Sequence, residues 1–388
     1  MKILMLHNDY QQVGGETHSV GSEVAALRER GHEVKLLTVS NTELKQLGKL
    51  RGLQRATTPK FSFELVRGAI DQFQPDLVHA QNLFPLLGAG AIDALHHASV
   101  PWFRTLRNFR KRCLSANLFR DGKICTSCQT AGSAFPGVIR GCYRNSSLQS
   151  GVALVYGRHE MMAELRYPPR AYIAVSSAVG TELSHSLVPG IPVVVKPNAV
   201  QAHNGTNLQR SGILYVGRLE AHKGVDILLS MIESMPETTF TVVGEGPESE
   251  VFASVQARSG NVVWHKRLDN SRVLELMSAS RIVIAPSKWI EPFGRVAVEA
   301  LSMGALPIVG DRGGLAEIAA MVNARYSLST DRFEVWVETA SEVLSMDAHD
   351  FSALSAHCRN VYVSNYTTAI NGSQLEDIYK RFADTDDR

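Results

Sequence analysis

Glu291 and Glu299 stand with seven residues between them, on either side of the turn Pro292-Phe293-Gly294. Ahead of them, the apolar run Ile282–Ala285 reads as a buried strand. Residues 296–303 have helix-forming composition and end at Gly304, which suits the left-handed position that closes a helix. Residues 306–309 read as a second strand, with Gly313 and Gly314 after it. Strand, glycine turn, helix and strand make one βαβ unit, and such units bind ligands beyond the carboxyl ends of their strands. N–H groups near Gly294 would open the helix and attract a phosphate. The turn and helix start, Pro292, Phe293, Gly294, Arg295 and Val296, would then line the ligand. A carboxylate on either side of the anion could hold sugar or ribose hydroxyls.

A second constellation follows the apolar run Ile213–Val216: Arg218, and five residues on, Lys223. A glycine turn with a forked guanidinium and a point-charge ammonium is a phosphate clamp when it lies between a buried strand and a leucine-rich helix. At the start of the chain, residues 2–7 read as a strand leading to Gly14 and Gly15, where backbone can approach a ligand before Val20, Val24 and Leu27 recur at helical spacing. Pro75 opens a further strand that ends at His79, Gln81 and Asn82, a place where sites form and where a structural histidine is equally at home.

Four of the five cysteines crowd into one loop: Cys113, Cys125, Cys128 and Cys142. Cys125-Thr-Ser-Cys128 is a thiolate knuckle, and four thiolates satisfy tetrahedral zinc, so a structural zinc is one reading. Four unlinked reduced thiols is the other, and both stay open. The loop follows the strand 103–106 and opens with Arg107, Arg110, Lys111 and Arg112.

These elements need two scaffolds. With 388 residues, two domains are expected, and 44% hydrophobic with 20% charged residues is ordinary globular composition. The opening strand is too short for a signal peptide, and no run reaches the ~20 apolar residues of a spanning helix, so the chain reads as cytoplasmic. Residues 1–200 hold 23 Lys/Arg against 14 Asp/Glu (+9), and the remainder 17 against 24 (−7). Either the two surfaces attract one another, or the basic half meets an anionic acceptor or a membrane surface. The basic stretch 44–67 is read two ways, as a solvated helix with a loop or as a peripheral membrane contact. Residues 201–211, rich in Asn, Gln and Gly, are the expected linker, and Asp384-Thr-Asp386 is read as solvated tail.

Taken together, the segment from Ser287 to Gly314, the Arg218…Lys223 loop and the turn Gly244-Glu245-Gly246 resemble the retaining nucleotide-sugar glycosyltransferases of family 4 (group 1), of the GT-B fold. The resemblance implies an α/β architecture of two doubly wound Rossmann-like domains facing across a cleft. Residues 1–200 would be the acceptor side, with the cysteine-bearing loop at 107–145; residues 201–365 would bind the donor; residues 366–388 would form a helix crossing back. It implies transfer of a sugar from a UDP-, GDP- or dTDP-sugar to a hydroxyl or amine of a glycan, lipid-linked or small secondary-metabolite acceptor. No catalytic metal and no nucleic acid would take part. Arg218 and Lys223 would hold the diphosphate, Glu299 the ribose, Glu291 the donor sugar, and Gly14 and Gly15 would face the donor or acceptor. Two departures stand out. Ala199 and Gln201 replace the family's Gly and Asp, and Arg107 stands where a histidine is usual. A guanidinium cannot act as a general base. Arg107 therefore either meets the leaving phosphate or an anionic acceptor, or marks a chain that binds donor without turnover. A non-catalytic nucleotide-sugar-binding partner, a nucleotide-sugar epimerase and a phosphorylase are the alternatives.

Overall fold

The computed structural model describes residues 1–9, 15–40, 58–201 and 209–383. Gly14, residues 44–57 of the basic stretch, residues 202–208 of the expected linker and the Asp384-Thr-Asp386 tail lie outside the described residues. The chain divides into two compact units. The first comprises Met1–Leu118, Cys125–Ala199 and Thr368–Arg388, and the second Phe119–Ile124 and Val200–Thr367.

In the first unit, six parallel strands form one sheet: β1 (Lys2–Asp9), β2 (Glu33–Ser40), β3 (Leu77–Ala80), β4 (Trp102–Leu106), β7 (Tyr172–Ala174) and β8 (Val193–Val195). Their order is β2-β1-β3-β4-β7-β8. Two two-residue strands, β5 (Phe119–Arg120) and β6 (Lys123–Ile124), pair antiparallel in the cysteine-bearing loop. The strands are apolar almost throughout because helices cover both faces. Ile3 and Met5 join Leu77, Phe103 and Ile173 on one face, under the helices Gly15–Glu29 and Thr368–Ala383. Leu4 and Leu6 turn to the other face with Val78 and Ala80, under Pro59–Phe73 and Gly88–Ala98. This period-two alternation is what the pleat dictates, and each buried aliphatic side chain contributes about 1.5–3 kcal/mol.

The second unit repeats the plan with β9 (Ile213–Val216), β10 (Phe240–Val243), β11 (Val262–His265), β12 (Ile282–Ala285), β13 (Leu306–Gly310) and β14 (Ser327–Leu328). All six are parallel, in the order β11-β10-β9-β12-β13-β14. Leu214, Val243 and Val283 pack against Val273 and Met277 of one helix and Ala300 and Met303 of another. The strand order reverses between β1 and β3 in one sheet and between β9 and β12 in the other. At such switch points the connections part to opposite sides and leave a crevice above the carboxyl ends.

The expected doubly wound architecture is therefore present twice. The last helix, Thr368–Ala383, belongs to the first unit and contributes more than apolar cover. Its Tyr379 hydroxyl lies 2.6 Å from His79 Nδ1, while Thr105 Oγ1 lies 2.6 Å from His79 Nε2. His79 is fully buried, and burial lowers its pKa from 6.5 to about 3. The imidazole is thus a neutral structural group. The unfolded chain binds a proton near pH 6.5 that the folded chain refuses, so stability is lost as pH falls from 6.5 toward 3. Urea unfolding should give about 2 kcal/mol less stability at pH 5 than at pH 7 from this residue alone. An unfolding midpoint unchanged over that range would mean that His79 is solvated.

Candidate active site

The switch point of the second sheet gathers the expected donor-side residues. The loop after β9 carries Arg218 and Lys223, and the loop after β12 carries Glu291 and leads into the helix Arg295–Met303. Lys223 Nζ lies 2.7 Å from Glu291 Oε2. The same oxygen accepts the Trp289 indole N–H at 2.8 Å, and the Trp289 ring lies 5.0 Å from the ammonium. Arg218 is mostly exposed and, among the described residues, pairs with Glu220 at 2.5 Å. Glu220 also meets His222 Nδ1 at 3.1 Å. The His222 pKa is lowered by burial and by the Lys223 charge. Lys288 is tied to Asp226 by an ion pair, and its backbone N–H donates to the His222 carbonyl at 2.9 Å, which stitches the two loops together.

Close backbone contact fixes the third loop. Gly313, with φ +73°, lies so near Glu291 that a Cβ would fall 2.2 Å from the Glu291 carbonyl oxygen. The Gly314 N–H donates to that carbonyl at 2.7 Å. Gly294 caps the helix with φ +97°, a conformation that glycine adopts without strain. Gly304 closes it with φ +74°, as its position suggests. On this helix Arg295 Nε meets Glu299 Oε1 at 2.7 Å. Burial raises the Glu299 pKa and the Arg295 charge opposes the rise. Arg295 Nη1 is buried with no hydrogen-bond partner among the described residues. Buried donors in native proteins are nearly always satisfied, so this one calls for a ligand or water. Phe293 is buried, whereas Pro292 and Val296 are partly exposed. The sequence reading left Trp289 and His222 without a role, and their aromatic type beside the clamp was the available signal.

Gly15 begins the first helix of the chain, and the neighbouring half-exposed Glu16 faces a cluster of arginines. Arg107 sits at the carboxyl end of β4 and is not free to reach an anion. Its Nε and Nη2 donate to Gln81 Oε1 at 3.1 and 2.9 Å, Nη1 donates to Asn198 Oδ1, and Nη2 also meets Glu23 Oε2 at 2.9 Å. Glu23 is itself buried and holds Lys196 at 2.5 Å. Burial pushes the Glu23 carboxyl up, but Arg107 and Lys196 together hold it well below the usual carboxylate range. Lys196 reaches on to Asn371 Oδ1 of the last helix at 3.0 Å. The fold thus uses Arg107 as one of two counter-charges to a buried acid. Glu23, Gln81, Lys196 and Asn198 are far apart in sequence, and only the sheet order brings them together.

The four loop cysteines are half-buried and Cys358 is buried, and none of the five is in a disulfide. Cys113, Cys125 and Cys142 lie near enough to Cys128 for their charges to act on it. Among the described residues, the group of three or more candidate ligand atoms lying within 4.8 Å of one another is the exposed Asp347, His349 and Asp350. The four cysteines thus share one module.

Arg107→Ala should lower the unfolding free energy by about 3–5 kcal/mol, because it strands Glu23 with a single counter-charge. Chemical denaturation of the purified variant measures this, and wild-type stability would release Arg107 from the structural role.

Residues 198–356 match the family described as "Glycosyl transferases group 1". A glycogen synthase of Mycobacterium tuberculosis is 31% identical over 201 residues, covering 48% of this chain and 47% of that protein. The match therefore spans about half the length of this curated relative. Among solved structures, a sucrose-phosphate synthase from Thermosynechococcus elongatus superposes with a TM-score of 0.67 at 15% identity, over 98% of each chain. HepE of Anabaena, in complex with UDP and glucose, gives a TM-score of 0.67 at 16% identity over 98% of this chain and 100% of that one. At such identities the likeness shows the fold.

Proposed function

We propose that this chain, whose residues 198–356 match the group 1 glycosyl transferases and whose fold is GT-B, moves a sugar from a nucleotide diphosphate sugar to an acceptor hydroxyl or amine with retention at the anomeric carbon. The observation that carries the reading is the convergence of Lys223, Glu291 and the Gly294 helix start on one switch point. In the transfer, the bond from the anomeric carbon to the diphosphate oxygen breaks and a bond to the acceptor oxygen or nitrogen forms. The acceptor's proton passes to the departing diphosphate. Negative charge grows on that leaving group while the sugar gains oxocarbenium character.

Each side chain has a physical task. Arg218, exposed and held by a surface pair with Glu220, turns to the diphosphate at little cost. Lys223 is held by Glu291 until the donor arrives. When Lys223 swings to the phosphate, the Trp289 N–H keeps Glu291 in place and frees its oxygens for sugar hydroxyls. Glu299 meets the ribose beside Arg295, whose unpaired Nη1 takes an oxygen of the donor. The N–H groups opening the helix at Gly294 stabilise the anion as it forms. The fold it shares with HepE, which is solved with UDP, makes a uridine nucleotide the first donor to test. Among the described residues no helix is long and apolar enough to cross a membrane.

A panel of UDP-, GDP- and dTDP-sugars should raise the melting temperature for one base above the others. Lys223→Ala and Glu299→Ala should each weaken that donor roughly tenfold or more while leaving the apo melting temperature near wild type. Wild-type donor binding in both variants would remove them from the site. Trp289→Phe keeps the ring and loses the N–H, so turnover should fall more than donor affinity in a single-turnover assay.

A further inference from the structure

A cavity of about 440 Å³ opens within the first unit, at the carboxyl end of β4 and beneath the long helix Ser147–Arg166. Arg104, Arg107, Arg110, Lys111, Arg112 and Arg158 all line it. Most of this charge is already spent. Arg107 answers Glu23, Lys111 lies 2.7 Å from Glu164, and Arg112 lies 2.5 Å from Glu182. Two guanidinium groups are different. Arg104 is 7% exposed and donates from Nη2 to Glu160 at 3.0 Å, yet its Nε and Nη1 are buried with no hydrogen-bond partner among the described residues. Nη1 comes no nearer to Glu164 than 3.9 Å. Arg110 gives Nη1 to the Leu114 carbonyl at 3.0 Å and lies 4.2 Å from the Phe84 ring centroid, while its Nε is also buried and unpartnered. Three forked N–H groups around one cavity thus lack acceptors. Leaving such donors unmet is costly in a buried site, and an oxyanion would recover that cost through paired, charge-assisted bonds. Glu16 also lines the cavity and faces Arg107, Arg110 and Arg104, so the incoming anion must outcompete one carboxylate. Exposed Arg158 lines the same cavity with no carboxylate paired to it among the described residues.

We infer that this cavity seats the anionic group of the acceptor, a phosphate or carboxylate carried on the sugar or polyol to be glycosylated, with Arg104 and Arg110 as its donors. The inference rests on the transferase reading for the word acceptor, and on the cavity alone for the anion. It also relocates the demand for negative charge from Arg107 to two neighbours with N–H groups to spare.

The test uses the full chain in a Lys223→Ala background, so that the diphosphate loops do not capture the probe. Glucose 6-phosphate, glucuronate and uncharged glucose are titrated by calorimetry. At least one charged probe should bind about tenfold or more tighter than glucose, and which one does so separates phosphate from carboxylate. Arg110→Gln should abolish that preference, and Arg110→Lys should restore part of it. Arg104→Gln is the less useful variant, since it uncovers buried Glu160 and can fail to fold. Equal binding of charged and uncharged probes, or an unaltered preference in Arg110→Gln, overturns the inference. Donor binding is followed separately in the Lys223-containing protein. A failure of every nucleotide sugar to bind there would count against the transferase reading and leave the anion result standing.

Discussion

A single buried carboxylate organises the first unit. Glu23 lies on the helix Gly15–Glu29, almost wholly out of water, and an isolated charge there would be prohibitively unstable. It survives because Arg107 from the end of β4, Lys196 beyond β8 and Gln81 beyond β3 all converge on it. These three residues leave the sheet at the edge where the loops emerge. The network therefore ties together the carboxyl ends of three strands, a helix, and the last helix through Asn371. Removing either cation leaves a penalty larger than the pair's own attraction, so such a cluster specifies geometry more than it adds stability.

The second unit solves a related problem without deep burial. Lys223 and Glu291 are partly exposed, and their pairing is an inexpensive holding position that water and ligand can both replace. What is rigid is the backbone beneath them, where Gly313 presses on Glu291 and the two preceding loops are cross-linked by Lys288. Mobile charges on a fixed frame suit the proposed reaction, in which a diphosphate must be gripped as its charge grows and then let go.

Much of this was legible in the residues. The strands of both sheets are continuous apolar runs, because parallel strands are covered on both faces, and the glycines after them mark turns with few alternatives. Arg218, Lys223, Glu291 and Glu299 were singled out from their place between a strand and a helix, which local sequence reports. Glu23 was not found. It occurs among helical residues whose apolar neighbours Val20, Val24 and Leu27 fix the face, and nothing local reveals that a charged residue is buried beside them. Its partners lie 58, 84 and 173 residues away, so their meeting depends on strand order. The partners of Arg107 were hidden for the same reason, since its chemistry was plain and its counter-ion was not. The two-residue strands β5, β6 and β14 carry no periodicity long enough to read.

The last helix closes a unit that was begun at the first residue. His79 and Tyr379 are separated by 300 positions, and the whole second sheet is threaded between them. At a synthesis rate of about 5–20 residues per second, His79 waits roughly 15 to 60 seconds on the ribosome for its phenolic partner. During that interval Lys196 also lacks Asn371, and the face later covered by Leu375 and Ile378 is open. The second unit, contiguous apart from the hairpin, has all of its strands at hand much sooner. The nascent chain thus finishes its domains in the reverse of the order in which it starts them, and the uncovered face of the first sheet is what a chaperone would meet.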